Sequence, residues 1–291
     1  MAVIEHPYRD LDGGRWLMGN LHTHTTRSDG QREPQAVIDD YAERDHGFLM
    51  LSDHDMFTSA EDYAACDAGG MILVPGNEVS ANGPHMLQVG GDRLVEPHAE
   101  RQKVIEDVEA CGGFSVFNHP SWFANFDHCP QELLERCQGY AGIEIYNGVI
   151  SFLEGSPYAT NRWDLLLTAG RRIWGFANDD SHHAQGNVGL GWNVAYVRDE
   201  TPEGVVEALR QGRFYASTGV EIIDIEVDGE SIVVETENAH RIVALQQGAK
   251  RFAQVDAPSI EVEIPADARY VRFECWGYGE SFAWTQPFFV G

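Results

Sequence analysis

The chain has 291 residues, 43% of them hydrophobic and 11% aromatic, enough to bury a large core and to exclude disorder as the default state. Forty-six acidic against 20 basic residues leave a formal charge of -26, which repels duplex nucleic acid and anionic membranes. The five cysteines (Cys66, Cys111, Cys129, Cys137 and Cys275) form no C-x-x-C pair, so they read as scattered thiols of a reducing cytoplasm, not a disulfide framework or cysteine zinc site.

The opening residues Met1-Ala-Val-Ile-Glu-His-Pro7 lack the basic and apolar stretches of a signal peptide, and no run reaches the ~18 apolar residues that cross a bilayer. A cytoplasmic location is the expectation. Lysine is confined to Lys103 and Lys250, a bias that a salt-adapted source or a GC-rich genome would each produce.

From Leu17 to about Gly212, short apolar runs alternate with amphipathic stretches, the pattern of βα units. Strands are expected at Leu17–His22, Phe48–Ser52, Ile72–Pro75, Ser115–Asn118, Ile143–Tyr146, Ile173–Ala177 and Val194–Val197. Helices are expected at Pro34–Arg44, Ala60–Ala68, Glu100–Cys111, Pro130–Cys137, Pro157–Ala169 and Pro202–Gln211, several of them opening on proline, whose missing N–H costs nothing in a first turn. These elements predict an α/β fold, a distorted seven-stranded (β/α) barrel. Beyond Gly212 the segments Glu221–Val227, Ser231–Val234, Ile242–Leu245, Ile260–Ile264, Tyr270–Glu274 and Phe282–Phe289 are short and β-branched or aromatic. They predict a small antiparallel β domain over 219–291 beside the barrel over 1–218.

His22 and His24 close the first expected strand, where a period of two turns both imidazoles to one face. Other strands end in comparable clusters: Ser52-Asp-His-Asp55, Gly76-Asn-Glu78, Asn118-His-Pro120 and Asn178-Asp-Asp-Ser-His182. In a β/α barrel the carboxyl ends of the strands are where the site loops converge. Histidine with carboxylates and no cysteine suits Mn²⁺, Zn²⁺ or Fe²⁺, and this many ligands exceed what one ion uses, so a centre of two or three divalent ions is expected. The chain has no G-x-S-x-G elbow, no Walker-type loop and no G-x-G-x-x-G, which removes the motif basis for a serine hydrolase, a nucleotide triphosphatase or a dinucleotide enzyme.

In this order, Gly19-Asn-Leu-His-Thr-His-Thr-Thr-Arg-Ser-Asp-Gly30, Leu51-Ser-Asp-His54, Glu78, Asn118-His-Pro120 and Asp180-Ser-His182 resemble the successive motifs of the PHP (polymerase and histidinol phosphatase) superfamily over roughly residues 15–215. The Trp16 entry and the exit Gly212-Arg-Phe-Tyr-Ala-Ser-Thr-Gly219 are similar to its CehA/McbA branch, which includes carbamate-ester hydrolases. The resemblance implies the barrel and a metal-dependent hydrolase of small phosphoesters, mono- or diesters, in which a hydroxide bridging two ions attacks. The alternative is a carboxyl or carbamate ester hydrolase on the same centre. A non-catalytic metal- or carbohydrate-binding protein is a third reading.

By motif, His22 and His24 would hold one ion with Asp180, Glu78 would bridge to a second held by His119, and Asp29, His54 and His182 would hold a third. The family commonly has histidine where this chain has Asp29. A further ligand to the second ion is expected after Ile143–Tyr146, and Glu144, Asn147, Glu154 and His128 stand open for it. Catalytic roles fall to His182, Asp180 and Glu78, with His182 or a neighbouring carboxylate protonating the leaving group. Arg27 and His85 are expected to bind the substrate's anionic group, each against an ordinary surface or turn role. Asp53, Asp179 and His183 read as loop residues or orienting acceptors, and Trp122 and Phe123 as pocket wall or barrel cap. The expected partner is a small-molecule ester, with no nucleic-acid polymer and no membrane. Composition and motifs leave the oligomeric state open.

Overall fold

The computed structural model describes residues 4–9, 11–123, 127–183 and 187–291. In chain order, β1 (Ile4–Glu5) and β2 (Arg15–Asn20) lead to α1 (Pro34–Ala42), β3 (Phe48–Leu49), α2 (Ala60–Tyr63) and β4 (Ile72–Leu73). Next come β5 (Gly76–Val79), β6 (Met86–Val89), α3 (Arg101–Ala110), β7 (Phe114–Phe117), α4 (Gln131–Arg136), β8 (Gly142–Asn147), α5 (Thr160–Thr168) and β9 (Trp174–Asn178). Then follow β10 (Trp192–Val197), α6 (Pro202–Arg210), β11 (Phe214–Ser217), β12 (Ile222–Asp228), β13 (Ser231–Thr236) and β14 (Arg241–Gln246). The chain ends with β15 (Lys250–Val255), β16 (Ser259–Glu263), β17 (Tyr270–Trp276), β18 (Phe282–Thr285) and β19 (Phe288–Val290).

Every helix and strand that the patterning predicts before Gly212 is present. α2 is shorter than the predicted span: a Ser59–Asp62 capping box starts it and it stops after one turn. α1 and α6 open on Pro34 and Pro202, and the Thr201 side chain caps α6 by accepting from Gly204 N–H.

Strand pairing does not confirm the distorted seven-stranded barrel. An 11-stranded sheet contains the run β11-β10-β2-β3-β4, a separate five-stranded sheet has the order β5-β6-β7-β8-β9, and no closed sheet forms among the described residues. β2, β3 and β4 run parallel, as do β7, β8 and β9. β6 is antiparallel to both β5 and β7, and β10 to both β2 and β11. The connection 80–85 is too short for a crossover helix, so β5 and β6 fold back as a hairpin and interrupt the strand–helix alternation. The two sheets face one another across a shared core of Leu17, Phe48, Leu87, Val116, Phe176 and Phe214. Burying each such side chain contributes about 1.5–3 kcal/mol.

At one end the sheets are linked by isolated bridges, Thr23 to Ser181 and His54 to Glu78. His24 N–H donates to Ser181 O at 2.8 Å, Asp180 N–H to His22 O at 2.9 Å and Glu78 N–H to Ser52 O at 3.1 Å. The histidine and carboxylate clusters sit at this end.

The C-terminal region is β-rich, as patterning predicts, with β15 in addition. β12, β13 and β16 form their own three-stranded sheet, while β14, β15, β17, β18 and β19 extend the large one. Pairing of β11 with β18, Tyr215 opposite Thr285, carries that sheet across residue 219 without a break. β1, which its two residues give no pattern to reveal, pairs with β19. Tyr8 then locks the two ends of the chain together, donating its hydroxyl to Phe214 O at 2.9 Å and accepting from Gln286 N–H at 2.6 Å.

Candidate metal centre

Beyond β2 the chain stays extended and the alternation holds. Thr23 turns its hydroxyl to Ser181 Oγ at 2.7 Å, and His22 and His24 lie with ring centroids 5.2 Å apart. His22 Nε2 is 3.3 Å from Glu78 Oε1 and 3.2 Å from Asp180 Oδ1. His24 Nε2 meets the same Asp180 oxygen at 3.2 Å and Glu78 Oε2 at 3.5 Å. His119 Nε2 stands 3.3 Å from Glu78 Oε1. Toward solvent, Asp29 lies 3.3 Å from His182 Nε2 and 3.5 Å from His54 Nε2. The close approach of Gly30 to the His24 backbone makes this turn possible, because a Cβ there would sit 2.4 Å from His24 O.

Four atoms at the middle of this cluster, His22 Nε2, His24 Nε2, Glu78 Oε2 and Asp180 Oδ1, are buried and have no hydrogen-bond partner. Leaving such groups unpaired costs about 1–3 kcal/mol each, and a shared cation satisfies all of them. The groups whose ligand atoms lie within 4.8 Å of one another include His22-His24-Asp180, His22-Glu78-His119 and His24-Asp29-His54-His182. Nitrogen and carboxylate donors in these sets fit divalent Mn, Zn or Fe.

His85, on the hairpin between β5 and β6, belongs to the same cluster. Its Nδ1 is 3.2 Å from Glu78 Oε1, and it forms further groups with His54 and Glu78 and with His119 and His128. His128 Nε2 accepts from the His85 backbone N–H at 3.0 Å, and its ring packs 4.8 Å from that of Trp122. Burial, with His119 and His85 alongside, pushes the His128 imidazole down to about 3. Glu154 is exposed and belongs to none of these groups. Glu144 and Asn147 are fully buried behind the centre.

Arg27 departs from expectation. Its guanidinium donates to Thr58 Oγ1 at 2.9 Å and lines a separate hollow with Leu51, Asp62 and Tyr63. The Thr25–Asp29 turn causes this: Asp53 accepts from Thr25 N–H, Thr25 Oγ and Ser28 Oγ, and so aims Asp29 inward and Arg27 outward. Asp179 does similar work on the other side, taking the Tyr41 hydroxyl and the N–H groups of Gly189, Leu190 and Gly191.

Burial alone would raise the Glu78 carboxyl, but the charges of His22 and His85 and a hydrogen bond from His119 hold it well below the usual carboxylate range. Asp180 is likewise held low, against its burial, by His22 and His24. Hydrogen bonds from His182 and His54 do the same for Asp29. Burial would depress His54, yet Asp29 and Glu78 push it up to about 10. Ionised carboxylates therefore sit beside His22, His54 and His182, whose imidazoles they push up, the charge pattern of a cation site in which protons and metal compete for the same lone pairs.

His119 and Asp180 adopt φ of 27° and 55°, in the left-handed region that costs non-glycine residues about 1–3 kcal/mol. Backbone strain is thus concentrated at two of the converging residues.

The centre floors a cavity of about 320 Å³ lined by Asp29, His54, Glu78, His85, His119, Asp180, His182 and His183, with an apolar wall of Trp122, Val149, Ile150 and Leu153. The Val149–Phe152 turn in this wall carries no periodic signal in the sequence, so patterning passed over it. Ser80, bonded to His54 Nδ1, carries no signal in the sequence, and for Asn118, which the strand-end cluster does mark, patterning does not show that Nδ2 donates to Glu78 Oε1 at 2.6 Å, since each lies across the chain from its partner.

No family model and no curated protein matches the chain. Among solved structures it is similar to a two-domain protein containing a predicted PHP-like metal-dependent phosphoesterase from Bacteroides vulgatus, with 17% identity and a TM-score of 0.56 over 94% of this chain and 93% of that one. It also matches an amidohydrolase from Chromobacterium violaceum with bound sulfate, at 17% identity and a TM-score of 0.43, over 58% of this chain and 89% of that one. The likeness to the first is one of fold. No helix among the described residues is long and apolar enough to cross a membrane.

Proposed function

We propose that the chain is a metal-dependent hydrolase of small esters, in the first place phosphoesters, working at a centre of two or three divalent ions, Mn²⁺, Zn²⁺ or Fe²⁺. One observation carries the reading: the inward atoms of His22 and His24 beyond β2, Glu78 in β5 and Asp180 after β9 are buried, close together and without hydrogen-bond partners. His22, His24 and Asp180 would hold one ion, Glu78, His119 and His85 a second, and Asp29, His54 and His182 a third. Bound ions supply Lewis acidity, bring the pKa of a coordinated water toward neutrality and offset charge that builds on the scissile group.

The chain's own residues do the rest. Trp122, Val149, Ile150 and Leu153 exclude water on one side of the cavity and give the substrate an apolar surface. With only the first two ions bound, His182, about a fifth exposed at the mouth, faces Asp29 through Nε2 and is placed to pass a proton to a departing group. The assay is Mn²⁺-loaded hydrolysis of p-nitrophenyl phosphate and bis-p-nitrophenyl phosphate, with His119→Ala as control. Turnover that the substitution abolishes supports the phosphoesterase reading. Absence of turnover on both substrates removes it.

The cavity wall also favours a second reading, hydrolysis of carboxyl or carbamate esters. No lysine or arginine lines the cavity among the described residues, and Arg27 points elsewhere, so only the ions meet a substrate's negative charge. A naphthyl carbamate in the same assay distinguishes the two, since turnover of the carbamate alone would displace the phosphoester.

A further inference from the structure

Glu144 lies in β8, fully buried, and both of its oxygens are committed. Oε1 accepts from His22 Nδ1 at 2.8 Å and from Asn178 Nδ2 at 2.9 Å. Oε2 accepts from the His119 backbone N–H at 2.8 Å and from Asn147 Nδ2 at 2.7 Å. Asn147 reaches onward, with the same Nδ2 3.2 Å from Asp180 Oδ2. One carboxylate therefore touches His22, His119 and, through Asn147, Asp180.

Each contact has a definite consequence. A carboxylate only accepts, so His22 carries its proton on Nδ1 and turns the Nε2 lone pair toward Glu78 and Asp180. The His119 N–H is fixed while that residue holds a φ of 27°, a conformation that needs outside support. With four donors filling its lone pairs, Glu144 has no oxygen left for an ion.

We infer that Glu144 is a positioning residue, not a ligand: a buried strut that sets the tautomer of His22 and the backbone of His119 and so couples the two ion sites those histidines serve. The inference rests on the metal-centre reading above. It also answers the open question of a ligand after β8, because that segment supplies a support from behind and His85 approaches Glu78 from the opposite hairpin.

The test is a calorimetric Mn²⁺ titration of the wild-type protein, Glu144→Gln and, as control, Glu154→Gln, which alters an exposed carboxylate nearby. The glutamine has the same shape but turns an NH₂ toward two donors at one end. Affinity at both ion sites is expected to fall about 10–100-fold in Glu144→Gln, as for other partners that orient a ligand, and to stay unchanged in Glu154→Gln. Hydrogen exchange of the wild-type His119 amide needs no variant: strong protection before any metal is added is expected. Wild-type affinity in a folded Glu144→Gln, or a freely exchanging His119 amide, overturns the strut. A wild-type protein that binds no Mn²⁺ overturns the metal centre itself, a separate outcome.

Discussion

His24 Nε2 and Asp180 Oδ1 stand 3.2 Å apart, joining the end of β2 to the turn after β9 across the gap between the two sheets. His22 meets the same oxygen at the same distance, so Asp180 gathers both histidines of the H-x-H pair. Asp180→Asn keeps the shape and removes the charge. It should lower Mn²⁺ stoichiometry and reduce hydrolysis by more than about 100-fold, since loss of even an orienting partner costs about 10–100-fold. Metal analysis of the purified variant checks this, and a full complement of ions would contradict it.

An ion that binds the folded chain alone stabilises it by mass action. At a free concentration about 100 times Kd the gain is about 2.7 kcal/mol, on the order of 5 °C in melting temperature for a chain of this size. A chelator should remove that gain and Mn²⁺ should restore it. Calorimetry showing equal melting points with chelator and with Mn²⁺ would argue against the site.

Arg27 is bonded to Thr58 and turned from the cavity. Arg27→Ala should leave kcat/KM within about threefold and lower stability by about 1–2 kcal/mol through the lost charged hydrogen bond. Steady-state kinetics decides: a loss of two orders of magnitude in kcat/KM would return Arg27 to the substrate.

His46 is buried against Tyr41 with ring centroids 4.9 Å apart, and burial pushes its imidazole down to about 4. Unfolded, it titrates near 6.5. The unfolded state then binds the extra proton between these values, so stability declines as the pH falls from about 6.5 toward 4. At about 1.4 kcal/mol per pKa unit, this residue accounts for about 2 kcal/mol lost between pH 7 and pH 5. Urea denaturation of His46→Phe at both values should show a smaller drop than the wild type by that amount.

Arg272 and Asp164 form a buried pair at 2.6 Å that ties β17 to α5, with the Tyr270 hydroxyl on Asp164 at 2.8 Å and Arg272 also reaching Glu274 at 2.9 Å. Asp164→Ala leaves the guanidinium without its main partner and should cost about 3–5 kcal/mol. Asp164→Leu combined with Arg272→Met should recover most of it. A double variant as unstable as Asp164→Ala would show that lost packing, not the unpaired charge, sets the cost.

The sequence by itself determined the six helices and seven of the strands before Gly212 from their patterning, but not β1, β5 or β6, and it determined the β-rich nature of the end. It also marked His22, His24, Glu78, His119, Asp180 and His182, since strand ends followed by polar clusters are local signals. Pairing was decided only by the tertiary structure: the short 80–85 connection folds β5 and β6 back, and the strands pair in two facing sheets linked at one end by isolated bridges. Direction of side chains was decided there too. Arg27 and Asp29 share one turn, yet the hydrogen bonds of Asp53 send one outward and the other inward. Glu144 reads from the sequence as one candidate ligand beside Asn147, Glu154 and His128, and only the convergence of its four donors, drawn from 22, 119, 147 and 178, separates it from the other three. A periodic pattern reports which face of an element is apolar, whereas a site is made by contacts between residues far apart in the chain, and no local pattern encodes those.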